Sequence, residues 1–228
     1  LNIHKISVPL NLEQPKLILR EIENCQSISH PNIPRFNGIS RDVNNIFIEF
    51  INGKQLNCIE TMKYENKISI IFDIMIIIEF LHRQHFIYRD LKPDNIIIDH
   101  QFRAVLIDFD RMIKESKELE TSNEIDGVNK EYTADIGKDF SAPELSTGTT
   151  TTKCDTYSIG KIIEFIINIP EQEQEQRQTS ISKIQEQHTN DKMCRYSYLN
   201  DIMEKFTKKK PEDRPDIQNF ILEYYIKH

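Results

Sequence analysis

The stretch Tyr88-Arg89-Asp90-Leu91-Lys92-Pro93-Asp94-Asn95 is the most informative part of this 228-residue chain. Lys92 lies between Asp90 and Asn95, and Pro93 keeps the segment from forming a helix. A loop of this kind can direct a carboxylate, an ammonium and a carboxamide toward one point. These groups suit a reaction that needs a proton acceptor, a cation for phosphate and a metal ligand.

A second carboxylate follows in the stretch Leu106-Ile107-Asp108-Phe109-Asp110. Asp108 ends an apolar run, and a carboxylate at the end of a strand can point into a cleft. Each stretch alone has an ordinary structural explanation. The first could be an Asx turn with a solvated lysine, and the second a strand end with a buried phenylalanine. Their order and spacing together favour a catalytic site.

The composition is that of a globular protein, with 38% hydrophobic and 29% charged residues, which excludes collagen, a mucin stalk and a fully disordered tail. The net charge of −7 excludes a chain that is basic overall, as nucleic-acid binders often are. Four scattered cysteines predict reduced thiols and an intracellular, cytoplasmic protein. Because the first residue is Leu1 rather than methionine, we expect the sequence to be a fragment. The apolar stretch Ile68 to Leu81 is too short and too charged for a membrane span.

Hydrophobic periodicity predicts a small α+β unit followed by a mainly helical one. In the first unit we expect strands at Leu1–Val8, Arg35–Ile39 and Asn45–Ile51, a helix at Leu12–Ile28, and a turn at Asn52-Gly53. In the second we expect helices at Ile68–Leu81, Tyr157–Ile169 and from Ile217 onward, with short strands at Asn95–Asp99 and Ala104–Ile107. Polar surface segments are expected at Asp110–Lys138, Glu171–Gln178 and Lys208–Lys210.

The order of seven motifs resembles the eukaryotic protein kinase family along nearly the whole chain. They are the helix αC stretch Arg20-Glu21-Ile22 with His30-Pro31-Asn32-Ile33, the hinge Phe47–Gln55 with Ile48 as gatekeeper, the catalytic loop Tyr88–Asn95, the metal-binding Asp108-Phe109-Asp110, Ala142-Pro143-Glu144, the αF start Asp155–Gly160, and Asp213-Arg214-Pro215. The resemblance implies a two-lobed kinase fold. Residues 1–52 would form a partial N-lobe without its first strands, and residues 53–228 a helical C-lobe.

The resemblance also implies roles for the loop residues. Asp90 would accept or orient the substrate hydroxyl proton, and Lys92 would neutralise the γ-phosphate of ATP. Asn95 and Asp108 would hold Mg²⁺. Lys92 stands two residues after Asp90, as in the Ser/Thr class of kinases, so the expected activity is phosphoryl transfer to Ser or Thr of a protein substrate. Neither nucleic acid nor membrane is expected as a partner.

Further residues would bind the nucleotide or tie the lobes together. Glu21 would pair with the lysine of strand β3 in the kinase nomenclature, the backbone of Glu49 and Ile51 would bind adenine, and Ile97 would form the floor of the adenine pocket. A hydrophobic stack would run from αC to the catalytic loop, which would hang from Asp155. Its members would be Cys25, Phe36, Tyr88 and Phe109.

The sequence departs from the family pattern at several places. A G-x-G-x-x-G loop is absent from it, and either Lys5 or His4 can take the place of the phosphate-binding lysine. Lys5 keeps the expected charge, whereas His4 gives the better apolar match around it. Asp110 replaces a glycine beside the metal site. These departures keep open the alternative of a pseudokinase that binds nucleotide or serves as a scaffold.

One regulatory interpretation also follows from the resemblance. Arg89 stands where an arginine can receive a phosphate from the activation loop, and Thr133 is the best-placed hydroxyl in that loop. Carboxylates of the same acidic loop could instead pair with Arg89 without any modification.

Overall fold

A computed structural model describes residues 3–7, 15–41, 45–115, 139–172 and 196–227. Its first unit is a three-stranded antiparallel sheet in the order β1-β3-β2, accompanied by one helix. These elements are β1 (Ile3–Ser7), α1 (Pro15–Ser27), β2 (Phe36–Ile39) and β3 (Asn45–Glu49). The predicted strand, helix, strand, strand order is therefore observed, with ends shifted by a few residues. Residues 8–14, which include the predicted start of the helix, lie outside the described ranges.

The second unit holds a second antiparallel sheet, a two-stranded ribbon and the remaining helices. Its elements are β4 (Gly53–Gln55), α2 (Tyr64–Arg83), β5 (Phe86–Ile87), β6 (Ile96–Asp99), β7 (Ala104–Leu106), β8 (Ile113–Lys114), α3 (Thr152–Asn168), α4 (described over 196–206) and α5 (Ile217–Lys227). This mixture of small sheets and helices confirms the α+β fold class. The domain boundary at residue 52 stays a prediction.

Several elements differ from what the sequence pattern indicates. The predicted turn at Asn52-Gly53 leads directly into β4, whose three residues pair with β6. Strand β8 lies within the segment predicted as a polar loop and pairs with β5, and its Ile113 packs against a small cluster that contains Ile87. Helix α3 begins at Thr152 rather than Tyr157, since its first turn buries Asp155 and Thr156, which an apolar pattern does not reveal. Helix α4 was not predicted at all.

Helix α2 forms the centre of the main hydrophobic core and packs against α3. Isoleucine is a modest helix former because its branched side chain loses rotamer freedom in a helix. Complete burial more than offsets that cost, since each such side chain contributes roughly 1.5–3 kcal/mol when it leaves water. The buried residues of α2 include Ile70, Ile71, Ile74, Met75, Ile77, Ile78 and Leu81.

A buried lysine joins α2 to the C-terminal end of α3. Lys67 is 1% exposed, and its ammonium donates to the carbonyl oxygens of Ile167 and Ile169 at 3.1 and 2.5 Å. The same ammonium lies 5.2 Å from the centre of the Tyr196 ring, at the described end of α4. Carbonyls at a helix C-terminus lack partners within the helix, so a cation there stabilises the end of α3.

Glu144 and Arg214 form a bidentate ion pair between two distant parts of the chain. Arg214 Nη1 and Nη2 lie 2.5 and 2.9 Å from the Glu144 carboxylate oxygens, and the arginine side chain is fully buried. The remaining guanidinium hydrogens are donated to the backbone carbonyls of Lys153, Lys208 and Lys209. All five donors of the guanidinium are thereby used.

We predict that Arg214→Ala lowers the free energy of unfolding by about 3–5 kcal/mol, because the Glu144 carboxylate and three carbonyls lose their partner inside the protein. Lys205→Ala is the matched control, since Lys205 pairs with Asp201 on the surface, where both side chains are 54% exposed. That change should cost less than about 1 kcal/mol. Chemical denaturation measures both, and equal losses in the two variants would contradict a structural role for the buried pair.

Candidate active site

The loop between β5 and β6 gathers the polar residues predicted from the sequence. Asp90 is 6% exposed, and its Oδ2 accepts hydrogen bonds from Lys92 Nζ at 2.8 Å and Asn95 Nδ2 at 3.0 Å. The Asn95 amide also donates to the Asp90 carbonyl oxygen at 2.9 Å. A single 3-10 turn, Pro93–Asn95, brings Asn95 back toward Asp90. The structure therefore brings Asp90, Lys92 and Asn95 into direct contact.

Asp155, in the first turn of α3, anchors the backbone of this loop. The Asp155 side chain is 0% exposed, and its two oxygens accept the backbone N–H groups of Tyr88 at 2.9 Å and Arg89 at 2.8 Å. His82 Nε2 lies 2.8 Å from one of the same oxygens. Arg89 has a φ of 73°, a left-handed conformation that costs free energy. The two bonds to Asp155 stabilise that conformation just before Asp90.

Tyr88 connects the loop to the second carboxylate segment. Its hydroxyl donates to the Ile107 carbonyl oxygen at 2.5 Å, and its ring meets the Phe109 ring edge to face at 5.7 Å between centroids. Complete burial raises the pKa of Tyr88 well above its ordinary value, and the nearby Asp108 adds to that effect. Tyr88 is therefore a neutral donor that fixes the segment bearing Asp108.

Three carboxylates converge at the mouth of the site. One oxygen each from Asp90, Asp108 and Asp110 lies within 4.8 Å of the others. Asp108 is exposed and has a φ of 66°. Burial raises the pKa of Asp110 to about 7, and repulsion from Asp108 contributes in the same direction. This clustering of oxygens carries more negative charge than a pair of carboxylates would.

Arg111 partly balances that charge. Its Nε lies 3.9 Å from Asp90 Oδ2, and its side chain is 19% exposed. It also lowers the pKa of Asp110 electrostatically, although burial and Asp108 outweigh it. Asp90 thus has Lys92 and Arg111 as cationic neighbours.

Glu21 on α1 lies half-buried behind the carboxylate cluster. Burial raises the pKa of Glu21, and the negative charge of Asp108 raises it further. The side chains of β1 lie outside the described part of the structure, but its backbone register sets His4 opposite Ile48 and Lys5 opposite Phe47.

The predicted adenine-binding residues lie along β3 and β6. Glu49 N donates to the Arg35 carbonyl oxygen, and the Glu49 carboxylate pairs with the Arg35 guanidinium at 3.2 Å. The hydrogen bond from Arg35 lowers the pKa of Glu49. Ile51 follows β3 and is half-buried, and Ile97 lies in β6, half-buried and paired with Gln55.

Gly53 allows β4 to approach that floor. A Cβ atom at Gly53 would lie 2.3 Å from the Ile98 carbonyl oxygen and 2.7 Å from a methyl group of Ile97. A side chain there would push β4 away from β6, so this position requires glycine.

The comparison with known proteins decides the family. The protein kinase domain family matches residues 4–226, which covers nearly the whole chain. The chain belongs to the protein kinase family. Both the predicted resemblance and the predicted kinase-like fold are therefore confirmed.

Three similar kinases illustrate the relationship. The chain is 30% identical over 72% of its length to a RasGEF domain-containing serine/threonine-protein kinase X of Dictyostelium discoideum, and 31% identical over 69% to a probable serine/threonine-protein kinase of the same organism. It is 29% identical over 67% to serine/threonine-protein kinase D of Synechocystis. The matches span 17%, 26% and 30% of those relatives' own lengths.

Within the kinase fold, parts of the predicted hydrophobic stack can be located. Tyr88 and Phe109 are in ring contact, and Cys25 packs against the main core beside them. Phe36 is half-buried in β2, opposite Ile48. Thr133, the predicted phosphorylation site, lies outside the described residues.

Three site residues were not assigned a role from the sequence, namely Asn24, His82 and Arg111. The sequence holds no signal for Asn24 and His82, because their partners lie 85 and 73 positions away. Arg111 could have been noticed, since it directly follows the third carboxylate.

We predict that Cys25 in this kinase reacts slowly with iodoacetamide at pH 8. Burial raises its pKa to about 12, and Glu21 and Asp108 add to the effect, so very little thiolate is present at that pH. Three pH units correspond to about a 10³-fold loss of thiolate relative to the same cysteine in the denatured chain. Peptide mass spectrometry measures the rate, with the exposed Cys58 as an internal control. Equal rates in native and denatured protein would contradict the burial of this thiol behind the carboxylates.

Proposed function

We propose that this chain transfers the γ-phosphate of ATP to a serine or threonine hydroxyl of an intracellular protein substrate. The observation that carries the proposal is the contact of Asp90 with Lys92 and Asn95, within 4.8 Å of the Asp108 carboxylate. Phosphoryl transfer needs these groups at one place, because the protein contributes mainly positioning and charge.

The position of Lys92 supports hydroxyls of serine or threonine as acceptors. Its ammonium lies 2.8 Å from Asp90, so it can contact both the catalytic carboxylate and a phosphate placed beside it. The relatives described above are also named as serine/threonine kinases. The matched region covers less than a third of each relative, so the substrates of those relatives are not assigned to this chain.

The donor set fits Mg²⁺. Magnesium prefers oxygen ligands and is held in kinase sites by one or two carboxylates together with substrate phosphates. Asp108 and Asn95 would hold the ion, and Asp110 adds a carboxylate at the same place. When bound, Mg²⁺ would supply positive charge that offsets the negative charge developing during transfer.

The chain's own residues account for the remaining steps. Asp90 accepts the proton of the acceptor hydroxyl as its oxygen forms a bond to the γ-phosphorus, and the bond from that phosphorus to the ADP oxygen breaks. Lys92 and Asn95 hold the Asp90 carboxylate in one orientation, which preserves the alignment that the transfer requires. We expect the backbone of Glu49 and Ile51 to bind adenine above Ile97, and Lys5, for which His4 is the alternative, to hold the α- and β-phosphates.

A pseudokinase that serves as a scaffold is the second candidate function. Asp110 favours it, because a half-buried third carboxylate adds negative charge where the phosphates would bind. Arg111 favours the enzyme, because it offsets part of that charge.

We predict that Asp90→Asn and Asp108→Asn impair different steps. In Asp90→Asn the proton acceptor is lost, so turnover should fall by about 10²–10⁴-fold while Mg²⁺–ATP affinity stays close to that of the wild type. In Asp108→Asn a charged metal ligand is lost, so affinity itself should weaken. Calorimetric titration and a phosphorylation assay on the full chain separate the two effects. Unchanged turnover in both variants would contradict the catalytic assignment.

We also predict that Lys5→Met raises the KM for ATP by about 10–100-fold, because a hydrogen bond between two charged groups is lost. His4→Ala should change the KM little. Steady-state kinetics with varied ATP measures both variants. The opposite result, a large effect of His4→Ala alone, would place His4 in the phosphate-binding position.

A further inference from the structure

The side-chain amide of Asn24 joins helix α1 to the segment that follows Asp108. Asn24 is 7% exposed, and its Nδ2 donates to the carbonyl oxygens of Phe109 at 2.8 Å and Met112 at 3.0 Å. A primary amide nitrogen carries two hydrogens, and here each has a carbonyl acceptor. Because both partners are acceptors, only the nitrogen of the Asn24 amide can face them.

The two carbonyls are the ends of one tight turn. Met112 N donates to the Phe109 carbonyl oxygen at 3.3 Å, which closes the turn over residues 109–112. Asp110 and Arg111 occupy its middle, and Asp108 directly precedes it. Asn24 therefore clamps the first and last residues of the turn that presents all three charged side chains.

The backbone here needs such support. Asp108 has a φ of 66°, a region that residues with a side chain seldom adopt, and its carboxylate lies close to those of Asp90 and Asp110. Repulsion among the carboxylates favours movement of Asp108 and Asp110 away from Asp90. Bonds from Asn24 to the backbone oppose that movement regardless of which side chains the turn carries.

We propose that Asn24 is a positioning residue that couples the location of α1 to the presentation of the Asp108 carboxylate. Glu21 lies three residues before Asn24, on the same face of α1, so displacement of the helix would move Glu21 and release the turn together. The effect on nucleotide binding rests on the proposed function, whereas the clamp on the turn does not.

Two variants and one matched control test this role in the full chain. Asn24→Ala removes both donors, and Asn24→Leu removes them while keeping the branched shape of the side chain. Asn32→Ala is the control, because the Asn32 amide also donates to a backbone carbonyl, that of Ala104 in β7, at 2.7 Å. The first readout is amide hydrogen exchange at residues 109–112 without nucleotide, and the second is Mg²⁺–ATP affinity by calorimetry.

The proposal predicts that both Asn24 variants exchange the amide of Met112 about tenfold faster than the wild type and bind Mg²⁺–ATP about tenfold more weakly. Asn32→Ala should change neither quantity, although its melting temperature falls. Exchange at Met112 that matches the wild type in both Asn24 variants would overturn the clamp. Faster exchange with unaltered affinity would overturn the coupling to the metal site. If the wild type itself binds no Mg²⁺–ATP, the proposed function fails and the exchange result alone decides the role of Asn24.

Discussion

The candidate active site depends on the hydrogen bonds that the buried Asp155 carboxylate accepts. It is fully buried, and its oxygens accept the amides of Tyr88 and Arg89 while His82 approaches one of them. A buried carboxylate is costly unless it is well bonded, so these partners must remain in place for the fold to be stable. The helix that contributes Asp155 is itself held in the main core through its apolar residues. The packing of this helix in the core thereby fixes the position of the backbone immediately before Asp90.

The charge of the site is concentrated rather than balanced. Three carboxylates meet at its mouth, and Lys92 and Arg111 supply cations on the side of Asp90. Burial raises the pKa of Glu21, and the negative charge of Asp108 raises it further. Binding a divalent cation would relieve the repulsion, which links occupancy of the site to the order of its residues.

The helices of the described part of the chain include none with the length and apolar character of a membrane span.

Sequence patterns predicted the parts of the fold that depend on local regularity. The apolar stripe of α2 identifies that helix because the stripe is buried, and β2 alternates between half-buried and exposed residues. The sequence of α4 also carries a helical pattern, since its buried residues recur every three or four positions. These residues are Tyr196, Leu199, Ile202 and Phe206. The apolar pattern does not predict β4, because its three residues are exposed and pair with β6. It does not predict β8 either, because the single apolar residue Ile113 packs against residues that lie far from it along the chain.

The site was predictable to the extent that its groups lie close together in sequence. Asp90, Lys92 and Asn95 lie within one loop, so their contact follows from the loop's own geometry. Asn24 was not predictable, because it belongs to no recognisable motif and donates hydrogen bonds to carbonyls far along the chain.

A chain that transfers phosphate differs from one that only binds nucleotide in what becomes of the γ-phosphate of ATP. The most direct measurement is mass spectrometry of the full chain and a serine/threonine peptide library after incubation with Mg²⁺ and ATP labelled with ¹⁸O at the γ-phosphate. The proposed transfer predicts labelled phosphate on serine or threonine, and none when Mg²⁺ is omitted. Binding of ATP without labelled phosphate on any peptide or on the chain itself would contradict it.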